Sequence, residues 1–202
     1  MQLTEAGRRG VAGMLSIVLL LIVAGSAAGR ELLSNGDFEL SPDNGWRYDT
    51  WGNFLDTGNC HLRWRHDWDP DRDFEVMLHK MLHQGMRLSQ KVGVEGLDLG
   101  FSVWCRLTSK TERESLFAAA CVGIEYLDAA DSVLGETRIY SATSGCTWEN
   151  GPAFHLIRAP DSLHWYNYRL NIASELGNLP GVNPDSVGTI RVSLLSYVLD
   201  NC

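Results

Sequence analysis

Between Trp46 and Trp68 the chain sets Trp46, Tyr48, Trp51, Phe54, Trp64 and Trp68 among Asp, Asn, Arg and His. That mixture suits sugars, whose apolar ring face stacks on an indole while the hydroxyls need polar partners at the rim. Trp and Tyr combine a large apolar area with a polar handle, and ligand sites are concave, with a few placed polar groups. Trp51, Trp64 and Trp68 are the stacking candidates, with Arg63, Arg65 and Asp67 as hydroxyl partners. The same rings also serve as core, and Trp46, directly after Gly45, reads as core. Trp148 and His155 stand in or near another loop and rank below these.

Other chemistries are poorly served. The run from Asp67 through Asp69 and Asp71 to Asp73 alternates as an EF-hand loop does, but it lacks the glycine and the closing glutamate that such a loop needs. His79 and His83 are four apart, yet their segment reads as a strand, where that spacing separates side chains by about 13 Å. No Glu follows His79 in the H-E-x-x-H manner, and there is no G-x-S-x-G elbow or glycine-rich phosphate cradle. Glycosidase chemistry needs two carboxylates at a set separation, and the sequence pairs none. The expectation is a chain that is not an enzyme.

The elements that must position these residues are strands. Phe101–Leu107 alternates apolar and polar residues, the period of a half-buried strand. Leu116–Leu127 is a second strand, and polar Thr108–Ser115 makes a hairpin loop between the two. Trp165–Ile172 and Thr189–Leu194 alternate likewise. Weaker strands fit Leu62–Arg65, Val76–Leu82, Met86–Val92, Thr137–Tyr140 and Phe154–Ile157, with a short helix from Ala173 to Gly177. About ten short strands without alternating helices predict an antiparallel β-sandwich or barrel.

The N-terminus reads as a secretory leader. Arg8 and Arg9 precede an apolar core from Met14 to Ala24, and small residues Gly25 to Ala28 supply the cut. That core is about half the roughly 20 residues a membrane-spanning helix needs. Residues 1–28 are thus expected to be removed, leaving residues 29–202 as one secreted or periplasmic domain, with no membrane partner after cleavage. The whole chain has net charge −8, and residues 29–202 carry 15 basic and 24 acidic side chains. Such a balance argues against nucleic acid, which needs a clustered basic face. Cys60, Cys105, Cys121, Cys146 and Cys202 lie in an oxidising compartment on this reading. Cys105 and Cys121 fall in consecutive predicted strands and could face each other; the odd count leaves at least one thiol over. The spacing of the five contains no C-x-x-C metal motif.

Glu31-Leu-Leu-Ser-Asn-Gly-Asp-Phe-Glu39 followed by Gly45-Trp46 resembles the opening of jelly-roll carbohydrate-binding modules of the family 4/9 type, in the galactose-binding-domain-like superfamily. Leu88–Val92 is similar to that family's Q-x-V strand, and Leu199-Asp200-Asn201 to its closing strand. The resemblance implies an all-β, two-sheet antiparallel jelly-roll β-sandwich, with Leu32–Glu39 entering as its first strand. It further implies a structural calcium held by the Asp37 carbonyl and the Glu39 and Asp200 carboxylates, with Asp73 of the acidic run as a further ligand; calcium takes six to eight oxygens. The implied function is binding of a polysaccharide or other glycan without chemistry, beside a glycoside hydrolase or on a cell surface. The alternatives are a structural or adhesive extracellular sandwich, and a small secreted glycoside hydrolase.

Overall fold

The computed structural model describes residues 16–20, 31–52, 60–65, 74–80, 84–110 and 117–199. Among the described residues eleven strands run in chain order: β1 (Ser16–Leu20), β2 (Arg47–Gly52), β3 (Cys60–Arg65), β4 (Glu75–Lys80), β5 (Gln84–Gly93), β6 (Gly100–Arg106), β7 (Phe117–Leu127), β8 (Val133–Ala142), β9 (Phe154–Arg158), β10 (Tyr166–Asn171) and β11 (Thr189–Leu199). They form a five-stranded sheet, β10-β6-β1-β4-β3, and a six-stranded sheet, β2-β5-β11-β7-β8-β9. The chain is an all-β sandwich, as its alternating segments predict. All strand pairs are antiparallel except β8 with β9, which run parallel.

Alternation decides which side chains lie between the sheets. Phe101, Val103 and Cys105 of β6 and Val76 and Leu78 of β4 face Met86, Leu88, Val122, Ile124, Val192 and Leu194 of the larger sheet in one core. The neighbouring residues of each strand point outward, as a period of two requires. The strand β7 is buried on both sides, because its outward face carries small residues roofed by other side chains. Cys105 therefore points into the core, while Cys121 lies on the far side of β7. The two thiols do not meet, which corrects the expectation that they face each other. Both are free.

Strand limits follow the sequence reading to within a residue or two for β6, β7 and β10. The strand β11 runs five residues past the expected Leu194, because Leu195–Leu199 keep pairing with Cys121–Phe117. Leu32–Glu39 is not a strand. Asn35 and Phe38 have left-handed backbones (φ 50° and 58°), and the Asn35 amide both donates to the Leu40 carbonyl and accepts from the Leu40 N–H. Asn and Gly favour such turns over pleated backbone. Phe38 is held in that unfavourable conformation by full burial and by the Trp46 ring, 5.0 Å away between centroids. Trp46 is core, as expected, and its indole N–H donates to the Asn35 carbonyl.

A short helix, α1 (Ile172–Leu176), follows β10 and buries Ile172 and Leu176 in the core. Asn171 caps it, its side chain accepting from the Ser174 N–H. Buried Glu175 is satisfied by Thr137 and by the His155 ring, 2.8 Å away. The Tyr126 and Thr137 hydroxyls extend this chain of hydrogen bonds into the core. The strand β1 lies inside the segment expected to be a leader. Its five residues pair in full with Arg106–Ser102 of β6, and Ile17 pairs with Val76 of β4.

Candidate ligand-binding face

The outward face of the six-stranded sheet is where polar and aromatic side chains converge. On β2 the outward residues are Arg47, Asp49 and Trp51. Opposite them on β5 stand Ser89, Arg87 and Gly85, and Lys91 extends that row to Arg191 on β11. Trp51 lies against Gly85, whose missing side chain leaves the space: a Cβ there would come within 2.2 Å of the indole. Tyr197 meets the same indole edge-on, at 67° between planes and 5.4 Å between centroids. The ring is 39% exposed. It is thus braced from below and from one side, with indole surface left open to solvent.

Beside Trp51 an open groove of about 360 Å³ is lined by Arg47, Asp49, Arg87, Ser89, Lys91 and Arg191. Asp49 accepts from both neighbours, at 2.9 Å from Arg47 and 3.3 Å from Arg87. Arg191 donates to Glu125 on β7, and Lys91 pairs with Asp131 at 2.8 Å.

Further across the sheet Glu136 and Arg138, both on β8, form a two-point pair at 2.5 and 2.8 Å. Gly123 beneath gives the Glu136 carboxylate its room. Burial pushes the Glu136 carboxyl above the usual carboxylate range, although Arg138 pulls the other way. The Arg138 guanidinium lies 4.4 Å from the Trp148 ring and 4.7 Å from that of Phe154, and Trp148 leans on Phe117, Tyr140 and Tyr197. This roof explains why the outward side of β7 is buried, and burial lifts the Tyr197 hydroxyl to about 12. Glu125 and Glu136 stand directly opposite each other in register.

The structure separates the residues chosen from the sequence. Trp51 is on this face. Trp64, on β3 in the other sheet, stacks on Phe74 at 4.4 Å and donates its N–H to the Phe38 carbonyl. It is partly buried against the core, a structural pin rather than a platform beside Trp51. Arg63 and Arg65 flank it along β3, so they too sit on the other sheet from Trp51. Asp67, Trp68, Asp73 and Asp200 lie outside the described residues. Of the implied calcium set, Asp37 accepts from the Glu39 N–H and Glu39 from the Phe74 N–H, each at 3.3 Å. Among the described residues no group of three or more His, Cys, Asp or Glu is placed to hold a metal.

Arg47, Asp49, Arg87, Lys91, Arg191, Glu125, Glu136, Arg138 and Tyr197 were not legible as a site. The alternation Arg87-x-Ser89-x-Lys91 was visible, but one strand's polar face looks like any solvated face until its neighbours are known.

No protein-family model matches the chain, and no curated protein matches it. Among solved structures, it is similar to the enzymatically active domain of tailspike protein 4 of bacteriophage CBA120. The identity is 11% and the TM-score 0.31, over 82% of this chain and 19% of that one. The chain thus spans about a fifth of that structure's length. That domain is described as enzymatically active, against the expectation that this chain is not an enzyme.

Proposed function

We propose that this chain is a carbohydrate-binding β-sandwich whose ligand lies across the outward face of the six-stranded sheet, stacked on Trp51. The observation that carries this reading is the seating of Trp51: Gly85 yields the space beneath, Tyr197 braces the ring, and a polar groove begins at the next outward pair of the same face, Asp49 and Arg87. A sugar ring needs that pairing of apolar surface and nearby hydrogen-bonding groups. The test is retention on a panel of neutral and acidic polysaccharides by affinity electrophoresis. Trp51→Ala is expected to weaken binding by about 2 kcal/mol, roughly thirtyfold, the typical loss of an aromatic anchor. Failure to bind any member of the panel would overturn the reading.

A second reading, hydrolysis of the bound glycan, is favoured by the facing carboxylates of Glu125 and Glu136. Directly opposed cross-strand side chains are neighbours on one face, and glycosidases work with two carboxyls set on either side of one bond. Burial raises the Glu136 carboxyl, as a general acid requires, and Glu125 accepts from Arg191 beside it. Release of reducing ends that is abolished in Glu136→Gln, with binding intact, would support it. No release by the parent chain on any bound glycan would dismiss it.

A further inference from the structure

The groove beside Trp51 carries the opposite sign of charge from the rest of the chain. Arg47, Arg87, Lys91 and Arg191 line it, and Asp49 is the one carboxylate among the lining residues. Asp131 and Glu125 reach in from beside it, which still leaves four cations to three carboxylates, in a protein of net charge −8. A chance arrangement on so acidic a chain would favour a negative groove.

The pairing inside the groove is also incomplete. Asp49 is shared between two guanidiniums, and its contact with Arg87 is long, 3.3 Å. Arg87 Nε is buried with no hydrogen-bond partner among the described residues. A buried charged donor left unmade is costly, and a planar guanidinium is built for two-point contact with a carboxylate or a sulfate. Ser89, a small residue lining the groove between Arg87 and Lys91 on β5, leaves room for a ligand group to approach them.

We propose that this groove takes an anionic glycan, its carboxylate or sulfate groups lodged among Arg47, Arg87, Lys91 and Arg191 while a sugar ring stacks on Trp51. This rests on the glycan-binding reading and adds the class of ligand. Ser89 offers a hydrogen bond to any sugar; the cationic residues select those bearing acid groups. Binding then weakens as salt rises, since exposed charge pairs are screened within about 10 Å at 0.1 M.

The experiment compares matched pairs that differ in charge alone. Polygalacturonate is set against its fully methyl-esterified form, and dextran sulfate against dextran, by calorimetric titration at 20 and 300 mM salt. At least one acidic form is expected to bind about tenfold or more tightly than its neutral partner, as a charge-assisted contact allows, and to lose that margin at high salt. Preference for polygalacturonate would identify the anion as a carboxylate, and preference for dextran sulfate alone as a sulfate. Arg47 and Lys91 have exposed side chains, so the double variant Arg47→Ala, Lys91→Ala keeps its fold and is expected to lose most of the preference. Trp51→Ala is expected to weaken charged and neutral forms alike. Equal affinity within both pairs would overturn the proposal while leaving glycan binding standing; binding to none of the four, nor to any other polysaccharide, would remove the reading beneath it.

Discussion

Arg138→Ala is expected to destabilise the domain by about 3–5 kcal/mol at neutral pH, the usual cost of breaking a buried ion pair from one side. Arg138 compensates Glu136 through two hydrogen bonds, and both side chains are mostly hidden from water. Alanine leaves the carboxylate desolvated and strips Trp148 and Phe154 of the guanidinium they pack against. The pH dependence separates these two effects. Burial already holds the Glu136 carboxyl above its ordinary range. A carboxyl raised on folding contributes stability that is present below its unfolded pKa and lost as pH climbs through the folded value. Without Arg138 the folded value rises further, so the loss at pH 7 deepens. Below about pH 4, where the carboxyl is protonated in both states, it fades. Urea midpoints of parent and variant at the two pH values check this. A loss of the same size at both would assign Arg138's role to packing alone. Glu136→Gln in the Arg138→Ala background is expected to recover part of the stability at pH 7.

Trp64→Ala is expected to cost about 3 kcal/mol, toward the low end for removing a large aromatic because the ring is only partly buried. The indole N–H holds the Phe38 carbonyl and the ring covers Phe74, so one side chain ties the N-terminal turn to the chain entering β4. Phe38 sits at φ 58°, a conformation an L-residue keeps only while its surroundings enforce it. Losing the pin therefore loosens the whole turn from Leu33 to Trp46. Glycan retention at a temperature where the variant is folded is expected to equal that of the parent. Trp51→Ala should show the reverse, with its melting temperature almost unchanged and its retention lost. A Trp64 variant that keeps its stability but loses retention would move the binding face to the other sheet.

Residue types alone could not tell these two tryptophans apart. Both stand in one aromatic-rich stretch among arginines and aspartates, and both fall on strands. What distinguishes them is which neighbours their strands acquire: Gly85 across from Trp51, and Val76 across from Trp64. Those pairings join residues 12 to 34 positions apart, beyond the reach of any local pattern. The strands themselves were legible wherever one face is apolar, as in Phe101–Leu107, because burial imposes the period directly. The opening segment misled for the same reason that it was recognisable. Asn35, Gly36 and Asp37 are turn formers, and they overrode the strand that the resemblance to carbohydrate-binding modules suggested. The cationic groove was hidden by composition, since a net charge of −8 says nothing of where the positive residues gather.

The place of β1 bears on how the smaller sheet holds together. It is the third of five strands, with β6 on one side and β4 on the other. Detaching it would part the sheet in the middle. Two facing edges would stand about 10 Å apart, twice the spacing of neighbouring strands, each with a row of amides and carbonyls lacking partners. Ser16–Leu20 are thus a seam of this sheet: five residues join its two halves, β10-β6 and β4-β3.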